Sequence, residues 1–159
     1  MSDQHVRIAH LAVARGAGRL LAIGLGSCVA VVIYDRQKRV GGLAHVLLPD
    51  PSAARDDANA ARFATRAIPA LLAEMRAIGA KGPFEAKLAG GASIFGSMLG
   101  GTSGPMGDRN VAAAREALAL ERIPITGSET GGSSGRSVTF DVSTGIVQVR
   151  GVRGGQRVL

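Results

Sequence analysis

Two long apolar stretches separated by only four polar residues limit what this chain can fold into. The stretches, Leu20 to Asp35 and Val40 to Pro49, are rich in Val, Ile, Leu and Gly and show no regular alternation with polar residues. A strand that is apolar on both sides must be covered on both sides. The pattern therefore predicts a β-hairpin over Val29 to Leu48 inside a layered domain, in which Gly41 and Gly42 allow a bulge or the close approach of a neighbouring element.

The apolar residues before and after this hairpin recur at different spacings. His5 to Arg15 alternates apolar with polar residues, with one slip of phase near His10, and predicts a strand. From Asp56 to Ile78 the apolar residues recur at steps of three and four, which predicts a helix that ends at Gly79. Pro69 lies inside this pattern and predicts either a kink or a later start. Three side chains at the beginning of the segment offer an N-cap: Asp56, Asp57 and Asn59.

The C-terminal half predicts one more helix and a group of short strands. A strand that begins near Phe84 leads into a glycine-rich loop, Gly90 to Gly107, and a second helix follows with Asp108 or Asn110 as its N-cap. Glycine turns then separate three short strands, at Ile123 to Gly132, Ser137 to Thr144 and Ile146 to Arg153. Two helices and about eight strands predict the α+β class. A chain of 159 residues fits a single domain over residues 1–159.

Composition narrows the compartment and the kind of partner. The chain contains one cysteine, which excludes an intrachain disulfide and favours a reducing compartment. No run reaches the roughly 18 apolar residues of a membrane span, and the N-terminus lacks the apolar core of a signal peptide. We therefore expect a cytoplasmic protein without direct membrane insertion. Nineteen basic residues against twelve acidic ones give a net charge of +7, which favours an acidic partner.

The hairpin carries the single cysteine, Cys28, and one of three histidines, His45. Both have a structural interpretation, since a lone cysteine is most often a small buried hydrophobe and a histidine can be hydrogen-bonded in a core. The functional interpretation is a nucleophile and its base. Cys28 follows a glycine turn whose backbone N–H groups, around Gly26 and Ser27, can stabilise a thiolate or an oxyanion. If Cys28 lies opposite Leu47 in the hairpin, it is diagonal to His45 on one face, whereas a register shifted by one residue separates the two.

Other kinds of site have weaker support in the sequence. The glycine patterns complete neither a dinucleotide-binding fingerprint nor a P-loop. Three dispersed histidines and one cysteine match no zinc spacing, so we expect neither a metal nor a cofactor. The basic residues are not interleaved with aromatic ones, so no stacking platform for nucleic acid is predicted; binding to a phosphate backbone is the remaining alternative on charge alone.

Five blocks of sequence occur in one order over most of the chain between Leu20 and Val149. The first two are LGSCVAVVIYD, which contains Cys28, and GGLAHVLLP, which contains His45. The other three, AKLAGGASIF, GDRN and GGSSGRSVTFDVSTGIV, lie at Ala86 to Phe95, Gly107 to Asn110 and Gly131 to Val147. Together they resemble the CheD family of chemoreceptor glutamine deamidases, with the first block similar to the nucleophile segment and the second to the histidine segment.

The resemblance implies a three-layer α/β/β fold, shared with the deamidating necrotizing-factor toxins, and hydrolysis of selected receptor glutamine side chains to glutamate. It implies that Cys28 is the nucleophile, that His45 is the general base and that no cofactor is required. In the family a threonine six positions before the cysteine completes a triad, and here that position is Ala22. We therefore expect another hydroxyl or a backbone carbonyl to hold His45.

The resemblance also implies partners. They are the cytoplasmic domains of methyl-accepting chemoreceptors and the CheC phosphatase, with receptor methylesterase activity as a side reaction. The alternative function is a catalytically weak module that binds and regulates CheC, which the alanine at position 22 favours.

Overall fold

The structure, a computed structural model, describes residues 2–56, 58–93 and 104–159. Within these ranges the chain forms two five-stranded sheets, two α-helices and two short 3-10 turns, at Pro51–Ala53 and Ala60–Arg62. The strands and helices are, in chain order, β1 (Asp3–His5), β2 (Leu11–Arg15), β3 (Arg19–Leu25), β4 (Val29–Asp35), β5 (Val40–Val46), α1 (Ala64–Ala77), β6 (Glu85–Gly90), α2 (Met106–Leu120), β7 (Ile125–Thr130), β8 (Arg136–Asp141), β9 (Ile146–Gly151) and β10 (Gln156–Val158).

The two sheets and the helices form three layers. The middle sheet has the strand order β2-β5-β4-β6-β7, and the outer sheet has the order β1-β3-β8-β9-β10. In the central strand β4, Val31 and Ile33 pack with residues of α1 and α2, whereas Ala30 and Val32 pack with residues of the outer sheet. All seven residues of β4 are buried, as expected for a strand covered on both sides. The predicted α+β class and the α/β/β layering are confirmed.

The adjacent glycines of β5 permit this layering. A Cβ on Gly41 would lie 2.6 Å from the ring of Phe140 in the outer sheet, and a Cβ on Gly42 would lie 2.7 Å from Leu71 of α1. Neighbouring residues of a strand face opposite sides. The predicted close approach therefore occurs on both faces of the middle sheet.

The N-terminal segment differs from its prediction. We expected one strand from His5 to Arg15, but β1 pairs with β3 in the outer sheet and β2 pairs with β5 in the middle sheet. A turn at Ile8 and Ala9, with a φ of 63° at Ala9, separates the two strands. The slip of phase near His10 marks the turn by which the chain passes from one sheet to the other, and the single-strand prediction is wrong.

The first helix begins later than its apolar period suggests. α1 starts at Ala64 with Phe63 at its N-cap position, so a cap at Asp56 or Asn59 is wrong, and Asp57 lies outside the described residues. Asn59 instead caps the preceding 3-10 turn. Pro69 lies inside α1. The predicted end is confirmed, since Gly79 follows the helix with a φ of 110°, a conformation that favours glycine, and its N–H donates to the carbonyl of Arg76.

The second helix begins earlier than predicted. α2 starts at Met106 directly after Pro105, so a cap at Asp108 or Asn110 is wrong. Residues 94–103 of the predicted glycine-rich loop lie outside the described residues. The three predicted C-terminal strands correspond to β7, β8 and β9, while β10 was not predicted. In the described ranges no helix combines the length and the apolar character that a bilayer crossing requires.

Candidate active site

Cys28 lies in the turn between β3 and β4, where the backbone is held on one side. It is a free cysteine with a residue exposure of 6%. The carbonyl oxygens of Gly26, Ser27 and Cys28 all accept hydrogen bonds. Their donors are, in that order, the N–H of Ala92 (2.8 Å), Asn110 Nδ2 (2.9 Å) and the N–H of Gly91 (2.8 Å). In a trans peptide the N–H points away from the preceding carbonyl. The N–H groups of Ser27 and Cys28 therefore point to the other side of the turn, as backbone donors to an oxyanion would.

His45 lies in β5 with one ring nitrogen held and the other unpartnered. It is 1% exposed, and its Nδ1 lies 3.0 Å from the carbonyl oxygen of Val6. Because a carbonyl only accepts, Nδ1 carries the proton of the neutral ring and Nε2 carries the lone pair. Nε2 is buried and has no hydrogen-bond partner among the described residues. This tautomer leaves Nε2 ready to accept a proton.

The hairpin register places Cys28 and His45 on the same face of the middle sheet. β4 and β5 pair antiparallel with Ala30 opposite His45. Continuing this register places Cys28 opposite Leu47, the first of the two registers considered, and Cys28 is two residues from Ala30. Cys28 and Ala30 both belong to the core between the two sheets. The thiol and the imidazole thus share a face in the diagonal arrangement that permits contact.

The electrostatics of the two groups favour neutral forms. Burial raises the pKa of the Cys28 thiol, and its own backbone N–H opposes this in part. Burial lowers the pKa of His45, with a smaller lowering from the charge of His5, while the hydrogen bond to Val6 raises it. A thiol and a neutral imidazole are therefore present together at neutral pH. These directions favour transfer of the Cys28 proton during the attack over its loss before the attack.

Ala22, at the position where the resemblance implies a threonine, has no side-chain hydrogen-bonding group. Its side chain is 0% exposed in β3, opposite Val138 of β8, in the core between the sheets to which Cys28 also belongs. Nδ1 of His45 bonds to the carbonyl of Val6. Of the two alternatives expected for holding His45, the structure contains the backbone carbonyl.

Comparison with known proteins identifies the family. The family model described as CheD chemotactic sensory transduction matches residues 47–151. This chain belongs to the CheD family. A protein of Moorella thermoacetica named probable chemoreceptor glutamine deamidase CheD is 43% identical over 153 residues, which cover 91% of this chain and 88% of the relative. A Clostridium novyi protein of the same name is 39% identical over 162 residues and covers both chains completely. In Geobacter metallireducens, a probable chemoreceptor glutamine deamidase CheD 2 is 44% identical over 136 residues, 84% of each chain.

The double glycine of the CheD-like block from Ala86 to Phe95 packs against the Cys28 turn. Gly90 and Gly91 have φ values of 110° and 68°, a region that favours glycine. The N–H of Gly91 donates to the carbonyl of Cys28, and a Cβ on Gly90 would collide with that same oxygen. The position of Cys28 therefore depends on the absence of a side chain at residue 90.

We expect Gly90→Ala to lower the melting temperature and slow alkylation of Cys28. Positive φ alone costs an alanine about 1–2 kcal/mol, and the collision with backbone adds to this. Gly154→Ala is the matched control, because Gly154 has a φ of 93° but nothing within 4 Å of the added Cβ. Thermal melting and iodoacetamide labelling measure both effects. Equal losses for the two variants would contradict a contact at Cys28.

The CheD-like block from Gly131 to Val147 connects the β7–β8 loop to the same region. Arg136 is buried and donates to the carbonyl oxygens of Glu129, at 2.7 Å, and of Gly131. The N–H of Gly131 donates to the carbonyl of Gly90 at 2.9 Å. A cleft of about 360 Å³ opens beside the Cys28 turn, lined by Gly24, Gly26, Ser133, Ser134, Gly135, Val152 and Arg153. The loop thus forms one wall of a space next to the candidate nucleophile.

The sequence did not predict the parts that Val6 and Asn110 play at this site. Val6 supplies only its carbonyl, which any residue type could supply, so no sequence signal points to it. Asn110 was predicted as a helix cap, but it is 0% exposed inside α2, and its Nδ2 donates to the carbonyls of Ser27 and Leu47. Asparagine is disfavoured inside helices. An asparagine inside α2 therefore indicates a side chain that bonds to another part of the chain, but this indication can be read only once the start of the helix is known.

Proposed function

We propose that this chain is a chemoreceptor glutamine deamidase, which hydrolyses selected glutamine side chains on the cytoplasmic domains of chemoreceptors to glutamate. Its CheD relatives carry that activity in their names. The observation that carries the proposal is the buried Cys28 on the same face as His45, whose Nε2 is buried without a partner among the described residues. An unsatisfied buried nitrogen costs stability. Its presence favours a chemical role over a core role.

The first half of the proposed reaction forms a thioester. His45 Nε2 removes the thiol proton while the Cys28 sulfur attacks the carbonyl carbon of the glutamine amide. The backbone N–H groups expected around Gly26 and Ser27, among them those of Ser27 and Cys28, stabilise the negative charge on the amide oxygen. His45 then donates its proton to the amide nitrogen, the C–N bond breaks and ammonia leaves.

The second half hydrolyses the thioester. His45 Nε2 takes a proton from water as the water oxygen attacks the thioester carbon. The C–S bond breaks, the sulfur of Cys28 recovers a proton and the glutamate side chain is released. Every proton passes through one imidazole nitrogen, and the cycle uses no cofactor.

The charge of the chain and the cleft beside the turn support a receptor segment as the substrate. The net charge of +7 attracts an acidic segment over long range. The cleft beside Gly26 has room for residues that flank the reactive glutamine, and Arg153 lines it. We propose that a receptor segment lies along this cleft with its glutamine directed to Cys28.

The test is a deamidation assay on a receptor cytoplasmic fragment. Incubation with the protein should release ammonia and give the small mass increase of replacing an amide NH₂ by OH at defined glutamines. A fragment in which those glutamines are already glutamate is the control and should release none. Absence of ammonia from the unmodified fragment would overturn the proposal.

The alternative, a catalytically weak module that binds CheC, rests on Ala22. The hydrogen bond from His45 to Val6 weakens it, because the imidazole is oriented without a hydroxyl at position 22. Binding to CheC without ammonia release from receptor fragments would favour this alternative.

We expect Ala22→Thr, which restores the family residue, to leave kcat nearly unchanged and to lower stability. The Nδ1 of His45 already has an acceptor, so the new hydroxyl is not needed for orientation. A hydroxyl in this fully buried position costs about 1–3 kcal/mol if it remains unpaired. Steady-state kinetics and thermal melting measure the two effects. A large rise in kcat would contradict the role of the Val6 carbonyl.

A further inference from the structure

Asn110 joins the two segments that carry Cys28 and His45. Its side chain is completely buried, and its Nδ2 donates to the carbonyl oxygen of Ser27 at 2.9 Å and to that of Leu47 at 3.0 Å. Ser27 directly precedes Cys28, and Leu47 follows His45 by two residues. One amide group thus contacts the backbone next to Cys28 and two residues after His45.

These contacts fall where the backbone ladder of the hairpin ends. The last pair of β4 and β5 is Val29 opposite Val46. Beyond it, the Asn110 amide bridges the two strands through carbonyl oxygens that cannot bond to each other. A primary amide suits this position because its nitrogen is neutral and carries two hydrogens. Its Oδ1 has no partner among the described residues, so the side chain is used as a donor.

The first turn of α2 is seated so that Asn110 reaches this gap. A Cβ on Gly107 would collide with the carbonyl oxygens of Gly91 and Ala92, so the helix packs there backbone against backbone. Gly91 in turn donates to the carbonyl of Cys28. The position of Asn110 is therefore fixed relative to the nucleophile turn from two directions.

We infer that Asn110 is a positioning residue for the deamidation, which sets the separation of Cys28 and His45 by bridging the open end of the hairpin. The inference rests on the proposed function. Asn110 lies beneath the backbone of the turn and acts through the two residues that perform the chemistry. Misplacing reacting groups by about 1 Å can cost on the order of 10²-fold in rate. We expect Asn110→Leu and Asn110→Asp to lower kcat by about that factor with little change in KM.

The decisive measurement is the pH dependence of Cys28 alkylation by iodoacetamide, which needs no receptor substrate. In the wild type the rate should fall at low pH as His45 becomes protonated. Asn110→Leu and Asn110→Asp should lose this dependence and resemble His45→Gln. Adding Asn110→Leu to His45→Gln should change the rate little, because the first change has already removed the coupling. Leu118→Ala, another buried position of α2, is the control for loss of helix packing and should keep the wild-type profile.

Two results would overturn the inference. One is an equal loss of alkylation rate from Asn110→Leu in the wild-type and His45→Gln backgrounds. The other is the same change of profile in Leu118→Ala at matched thermal stability, which would indicate a general packing effect. If the wild type releases no ammonia but the alkylation results are as expected, the proposed function fails while the positioning role stands.

Discussion

Cys28→Ala is expected to reduce ammonia release from a receptor fragment to the uncatalysed level, a loss of at least about 10⁴-fold. The variant removes the sulfur that forms the thioester, and no other cysteine exists in the chain to replace it. Alanine is smaller than cysteine and suits a buried site, so the fold should persist. Ammonia release, with thermal melting as the check on folding, measures the effect.

Ser143→Ala is a suitable control for this experiment. It also removes one heteroatom from a partly buried side chain, but it lies just beyond the end of β8 that pairs with the start of β3, away from the Cys28 turn. It should retain the wild-type rate. Ammonia release by a folded Cys28→Ala variant would exclude the covalent path and would require a different nucleophile.

The hairpin could be predicted from sequence because its two determinants are local. The loop of polar residues between β4 and β5 locates the turn of the hairpin, and the apolar character of both strands requires cover on both sides. The loop is compatible with the register that places Cys28 opposite Leu47, and the structure selects this register over the one shifted by a residue. Cover on both sides explains Gly41 and Gly42, because each lets a neighbouring layer approach closely. The diagonal relation of Cys28 to His45 was therefore one of two arrangements expected from the sequence, and the structure was needed to choose between them.

The remaining parts of the site depend on contacts between segments distant in sequence. The alternation of His5 to Arg15 is the same whether the chain stays in one sheet or crosses to another, and only the crossing brings the Val6 carbonyl to His45. Asn110 has good capping chemistry, and its burial between two strands depends on a helix that starts at Met106. A sequence pattern relates a residue to the helix or strand in which it lies, so it does not reveal a side chain that bonds to a different element.

We expect His45→Gln to lower kcat/KM at neutral pH by roughly 10²–10⁴-fold, because the variant removes the group that carries every proton of the proposed cycle. In the wild type, kcat/KM should fall at low pH as His45 is protonated. Burial lowers the pKa of His45 from its ordinary value of 6.5, so this decline should be centred below pH 6.5. Measuring kcat/KM across pH in both proteins tests the role of the imidazole.

Ionisation of the Cys28 thiol determines how the rate changes at high pH. Burial raises the pKa of Cys28 from its ordinary value of 9.0, so the thiol stays protonated through neutral pH. In His45→Gln the acid decline should disappear, and the residual rate should rise only above pH 9.0, where the thiolate forms without a base. A wild-type profile that instead rises only with thiol ionisation, and matches that of His45→Gln, would mean that His45 is a core residue and that Cys28 acts without it.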